Sequence, residues 1–143
     1  MHRESGASQP VHQDEGRANV GRRRSLGIYY TPQSAAQVLA GWAIRGAKDT
    51  VLEPSFGGCA MLEAAVARLR ALGCREPAAQ LQGFDVDEGA FAYLRRLLGG
   101  LDRHPQFALG DFLMANPGAP GRVTAVLANP PFVSYHRMNV EQR

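Results

Sequence analysis

Four residues able to do chemistry stand at the ends of short apolar runs: Glu53, Asp85, Asp111 and Asn129. The last opens the tetrapeptide Asn129-Pro130-Pro131-Phe132. Its prolines fix the backbone and remove two donors, leaving carbonyl oxygens as acceptors. Asn129 adds a side-chain carbonyl, and Phe132 offers a flat face. Two acceptors and an aromatic ring suit an exocyclic amine on a planar ring, gripping the NH2 while the ring stacks. The competing reading is a turn without chemistry.

Glu53-Pro54-Ser55-Phe56-Gly57-Gly58 has adjacent glycines, which let backbone N–H groups approach a ligand closely. It matches neither GxxxxGK[ST] nor GxGxxG, so the usual parts of a phosphate cradle are missing. Glu53 also places negative charge where a phosphate loop would avoid it, so a ligand with a positive or amine-bearing group fits better. Asp85 stands where an acid can take both hydroxyls of a ribose. Asp111 could accept from an adenine amine, and Phe112 beside it could stack on a base. Each has a structural alternative: a strand-to-helix turn, a cap shared with Asp87, a loop aspartate, and a core ring. Together the three acids outline a nucleoside-shaped site with an amine-bearing end.

The elements that must carry these residues alternate between helical and strand periods. Thr31-Pro32 reads as a helix start, with the hydroxyl as N-cap and proline in the first position. Val38, Leu39 and Trp42 then share a face up to a stop at Gly46. Thr50–Leu52 is a strand ending at Glu53-Pro54. A helix follows, with Met61, Leu62, Ala65, Val66, Leu69 and Leu72 along one stripe, closed by Gly73. Gln80–Phe84 is the next strand, and Asp87 can cap a helix whose Phe91, Leu94 and Leu98 share a face before Gly99-Gly100. Gln106–Leu109 and the strongly apolar Arg122–Ala128 are the third and fourth strands. Strands separated by helices imply βαβ units and a parallel, doubly wound α/β sheet. Ligands of such sheets bind beyond the carboxyl ends of the strands, where all four polar residues fall.

The bulk properties are permissive. The chain has 143 residues, enough for one domain, and 45% apolar with 20% charged residues excludes wholesale disorder. No stretch approaches the roughly 18 consecutive apolar residues of a membrane span. The first 25 residues lack the apolar core of a secretory signal, so the expected compartment is the cytoplasm. Net charge is +3, but five arginines and three acids in residues 1–25 hold +2 of it. The basic balance is therefore weak testimony for nucleic acid, and Arg22–Arg24 reads first as a solvated arm. Residues 1–25 are expected to form a flexible basic leader and 26–143 a catalytic domain truncated at its C-terminus. Cys59 and Cys74 make no metal knuckle, and the histidines show no ligand spacing. Cys59 is read as a packing residue and not a nucleophile.

Asn129-Pro130-Pro131-Phe132 resembles the [DNS]-PP-[YFW] motif of amino-group methyltransferases with a Rossmann-like fold. Taken with Tyr30-Thr31-Pro32, Glu53–Gly58, Asp85 and Gly110-Asp111-Phe112, the chain resembles N6-adenine-specific DNA methyltransferases in their gamma motif order. The resemblance covers about residues 26–138 and includes methylases of restriction-modification type. It implies a Rossmann-like sheet, of which about four of seven strands are expected here, and S-adenosylmethionine as cofactor. Thr31, Glu53 and Pro54 would lie near its methionine moiety, Gly57 and Gly58 would let it approach the backbone, and Asp85 would hold its ribose. Asp111 and Phe112 would meet its adenine. Asn129 and the Pro130 carbonyl would accept from the target N6 amine, Pro131 would complete the rigid turn, and Phe132 would stack on the base. The implied partner is double-stranded DNA with the target adenine flipped out, and no metal is needed.

Cys59 stands where the family's loop often has its second glycine, which puts the cofactor contacts of Cys59 and Ala60 in question. Beyond the motif, Val133–Met138 reads as a loop over the pocket mouth, with Tyr135 able to stack, Arg137 able to meet phosphate, and His136 a weaker general-base candidate. The alternatives are a methyltransferase of RNA bases or of a protein glutamine amide, and a non-catalytic cofactor-binding remnant. A recognition region beyond Arg143, or a restriction-modification partner, would have to choose the DNA sequence.

Overall fold

The computed structural model describes residues 31–99, 106–116 and 122–130. All belong to one compact unit, Tyr30–Pro131; the second unit, Met1–Tyr29 with Phe132–Arg143, lies outside the described residues. The expected leader, Tyr30, Pro131, Phe132 and the 133–138 loop therefore also lie outside them.

The chain alternates as expected: α1 (Gln33–Ala43), β1 (Val51–Glu53), α2 (Ala60–Ala71), β2 (Leu81–Asp85), α3 (Ala90–Leu98), β3 (Phe107–Leu109) and β4 (Ala125–Val126). Single 3₁₀ turns occupy Pro77–Gln80 and Phe112–Met114. The four strands form one parallel sheet in the order β3-β2-β1-β4. This is the Rossmann-like α/β arrangement around its switch point, since the chain moves outward from β1 to β3 and then returns to the other side of β1.

Burial falls on one face of the sheet. Val51, Leu81 and Ala125 stand opposite one another in register and are all buried. On the other face Leu52 and Gln82 are half-buried and Val126 is 56% exposed. The Arg122–Ala128 strand is thus shorter than its apolar run and is not buried on both faces. Arg122 to Thr124 are spent on the β1 edge instead: the Thr50 hydroxyl donates to the Arg122 carbonyl, and the Thr50 N–H donates to the Thr124 hydroxyl at 2.9 Å. Beyond Val126 the Leu127 N–H still donates to the Leu52 carbonyl at 3.0 Å, and Leu127 is buried.

α1 also corrects its expectation. It begins at Gln33 with Pro32 at the N-cap and no side-chain cap, so the Thr31 hydroxyl is not used there. Its buried residues are Ala36 and Ala40, with Ile44 just beyond, while Val38 (72% exposed) and Trp42 (74%) face away. The cause is packing distance: alanines four apart form a smooth strip on which α2 can lie closely, which bulky residues would prevent. The Arg68 guanidinium of α2 secures the crossing, its Nε donating to the Ile44 carbonyl at 3.1 Å.

α2 buries Met61, Leu62, Ala64, Ala65, Val66 and Leu69, close to the expected stripe, and Leu72 is half-buried. Gly73 and Gly99 follow α2 and α3 in left-handed conformations, as helix-ending glycines do. At Gly83 a side chain is excluded by contact: a Cβ would stand 2.7 Å from the Glu53 carbonyl and 3.1 Å from the Phe56 ring. That vacancy lets Phe56 enter the core, edge-on to Phe91 at 5.1 Å and to Phe107 at 5.8 Å.

Candidate active site

Parallel strands deliver their C-terminal residues to one rim. Glu53 closes β1, Asp85 closes β2, Asp111 follows β3, and Asn129 follows β4. The structure thus brings together at this rim the four polar residues singled out in the sequence. The Leu52–Val126 pairing sets Glu53 and Asn129 on adjacent strand ends, astride the switch point.

Glu53 is 3% exposed, and among the described residues its Oε2 has no hydrogen-bond partner. Burial pushes its carboxyl well above the ordinary value; the nearby Asp85 carboxylate adds to the rise, and the Leu62 backbone amide opposes it. Ser55 Oγ is likewise buried and unpartnered among the described residues. Two orphaned acceptors under a glycine turn are costly unless something meets them.

The loop between β1 and α2 is tied to β2. The Phe56 N–H donates to the Phe84 carbonyl at 3.3 Å, and the Gly57 N–H to Asp85 Oδ2 at 2.7 Å. Gly57 takes φ +45, a conformation natural to glycine, and Gly58 is half-buried beside it. Cys59 follows at φ +65, where the related loop has glycine, with its side chain 1% exposed. Burial pushes its thiol up to about 12, with Glu53, Glu63 and Asp85 adding to the rise. Pro54, half-buried, carries the chain from Glu53 into this turn.

Asp85 has a structural task that the sequence did not disclose. Besides the Gly57 N–H on Oδ2, it accepts the Asp87 N–H on Oδ1 at 2.8 Å. Asp87 in turn accepts from the Gly89 N–H at 2.9 Å in the turn before α3, but the helix itself has Gly89 at its N-cap and no side-chain cap, so the expected Asp87 cap is not made. Asp111 accepts from the Leu113 N–H at 2.9 Å and caps the short 3₁₀ turn. Phe112 is 36% exposed and lies against Phe84, centroids 5.5 Å apart. Val86, which sequence reading passed over, is 73% exposed directly after Asp85. Its signal was available: an apolar residue between two aspartates beyond a strand end has no core to enter.

Asn129 is half-buried, and its Nδ2 donates to the Thr31 hydroxyl at 3.1 Å. The segment before the first described helix and the segment after the last described strand therefore meet at one side chain. Pro130 is exposed; Pro131 and Phe132 lie outside the described residues.

The profile of the N-6 DNA methylases matches residues 18–143. The chain belongs to the N-6 DNA methylase family. This N-6 DNA methylase carries Asn129 and Pro130, the described part of its Asn-Pro-Pro-Phe element, beyond β4 at the rim of a Rossmann-like sheet. The family makes it a DNA N6 methyltransferase in general terms. Among curated proteins, none matches the chain. Among the described residues no group of three His, Cys, Asp or Glu could hold a metal, and no helix is long and apolar enough to cross a membrane.

Proposed function

We propose that this chain carries the cofactor-binding and catalytic residues of an adenine-N6 DNA methyltransferase using S-adenosylmethionine. The observation that carries the reading is that Glu53 after β1, buried with its Oε2 unpartnered among the described residues, and Asn129 after β4 stand on adjacent strand ends astride the switch point.

The residues fit such a cofactor. Glu53 Oε2 and Ser55 Oγ offer buried acceptors to an ammonium group, with Pro54 between them in the chain. Gly57 and Gly58 leave the backbone open to approach. Asp85 retains acceptor capacity on each oxygen beyond its backbone bonds, enough for ribose hydroxyls. Val86 and Phe112 present apolar surface to a flat ring, and Asp111 an acceptor to its amine. Bound there, S-adenosylmethionine supplies an electrophilic methyl group on sulfur.

The protein's own contribution is placement and electrostatics. Asn129 Oδ1 and the Pro130 carbonyl accept the two N–H bonds of the target amine, which holds its nitrogen lone pair toward the methyl group. Phe132 stacks on the extruded base, which must leave the duplex to reach this rim. Double-stranded DNA is the substrate of this reading, with sequence choice resting on a further recognition region or a restriction-modification partner.

Methyl transfer from labelled S-adenosylmethionine to DNA, RNA and protein tests the reading. Label on adenine N6 in DNA is the expected result. Label on RNA or on a protein amide would move the substrate, and loss of cofactor binding by calorimetry in folded protein would overturn it. In the active enzyme Asn129→Ala should lower transfer at least about a hundredfold while cofactor affinity stays nearly constant.

A further inference from the structure

We infer that Thr31 is a positioning residue for Asn129, holding its carboxamide in place at the rim by the nitrogen end. The inference rests on the reading of Asn129 just given and assigns Thr31 a task other than contact with the cofactor.

A carboxamide has two ends of nearly equal shape and opposite character: Nδ2 donates and Oδ1 accepts. Only the accepting end can take an N–H from an exocyclic amine. The reverse orientation would point N–H groups at N–H groups and lose the interaction. Asn129 Nδ2 donates to the Thr31 hydroxyl at 3.1 Å, across 98 residues of chain. A planar trigonal group held by its nitrogen turns its oxygen to the other side. In the observed arrangement Thr31 accepts from Nδ2, which holds the carboxamide with Oδ1 directed away from Thr31 before substrate arrives.

The placement of Thr31 supports this role. Its hydroxyl is not spent on α1, which starts at Gln33 and has no side-chain cap. Thr31 is half-buried, and Pro32, with its fixed φ, leads directly into the helix. α1 is in turn anchored on α2 through Ala36, Ala40 and the Arg68–Ile44 bond. The hydroxyl is therefore mounted on a rigid part of the fold, as an orienting group must be.

The test compares Thr31→Val, which keeps the shape and removes the acceptor, with Thr31→Ser, which keeps the hydroxyl. Cofactor affinity is read by calorimetry, and kcat and KM by methyl transfer to adenine-containing duplex DNA. Thr31→Val should lower kcat about 10- to 100-fold with cofactor Kd within about twofold, and Thr31→Ser should recover most of the rate. Wild-type kcat in Thr31→Val would overturn the inference. So would a loss confined to cofactor Kd, which would make Thr31 a cofactor contact instead.

A readout independent of turnover is the Asn129 side-chain amide signal in ¹⁵N-labelled full-length chain, assigned through its loss in Asn129→Ala. Thr31→Val should shift that signal and speed its proton exchange, while Thr31→Ser leaves it in place. An unmoved signal in Thr31→Val refutes the inference. Failure of the wild-type chain to methylate any adenine would instead count against the proposed function alone.

Discussion

Glu53 ties the chemistry of the site to acidity. Its carboxyl sits well above the ordinary value, because burial and then the Asp85 charge disfavour ionisation. The folded, ligand-free protein therefore keeps a proton that an unfolded chain releases. Stability from this source is complete below the unfolded value and is lost as pH rises through the folded one, by up to about tenfold in the folding constant per pH unit. Glu53→Gln should flatten that dependence in urea unfolding across a pH series; an unchanged slope would mean another group is responsible. A bound ammonium group reverses the preference, so S-adenosylmethionine should bind more tightly as pH rises through the same range, with proton release visible in buffers of different ionisation enthalpy. Cys59 gives a second residue-level test. With its thiol near 12 and almost no exposed surface, about one in ten thousand is ionised at pH 8. A thiol reagent should label only the half-buried Cys74 in native protein and both cysteines after unfolding.

At the level of elements, Gly83 shows how closely the strand ends are set. Gly83→Ala places a methyl group 2.7 Å from the Glu53 carbonyl and against two phenylalanine rings, and should cost roughly 2–3 kcal/mol by denaturant titration. A neutral substitution would mean that β1 and β2 can part without loss. The elements were largely legible because parallel strands and their helices announce themselves by period and by glycine stops, as Gly73 and Gly99 did. α1 was legible as a helix but not in its orientation. Apolar periodicity weighs the size of Val38, Leu39 and Trp42, whereas the packing selected the small face of Ala36 and Ala40. β4 was overextended for a related reason: an apolar run says nothing about whether a second layer covers it.

For the unit as a whole, the sheet order brings the polar residues of four strand ends to one rim, and that much followed from sequence through topology. The bonds among them did not. Asp85 bracing Gly57 and Thr31 holding Asn129 are polar contacts across 28 and 98 residues, for which local pattern carries no signal. Trp42 tests the tertiary arrangement directly, being the chain's one tryptophan and 74% exposed on α1. Its fluorescence should be solvent-like and readily quenched by iodide. A blue-shifted, protected signal would place a covering partner on that face.

The return of the chain to the far side of β1 also orders events in time. β1, β2 and β3 are neighbours in sequence as well as in space, each joined to the next by one helical crossover. β4 instead bonds back across 74 residues, and Asn129 meets Thr31 across 98. Longer closures carry more entropy loss and form later. During synthesis β1, β2 and β3 can be in place while Asn129 is still within the ribosome. Asn129 is then the last of the four polar residues to reach the rim, and its docking on Thr31 marks the moment at which they stand together.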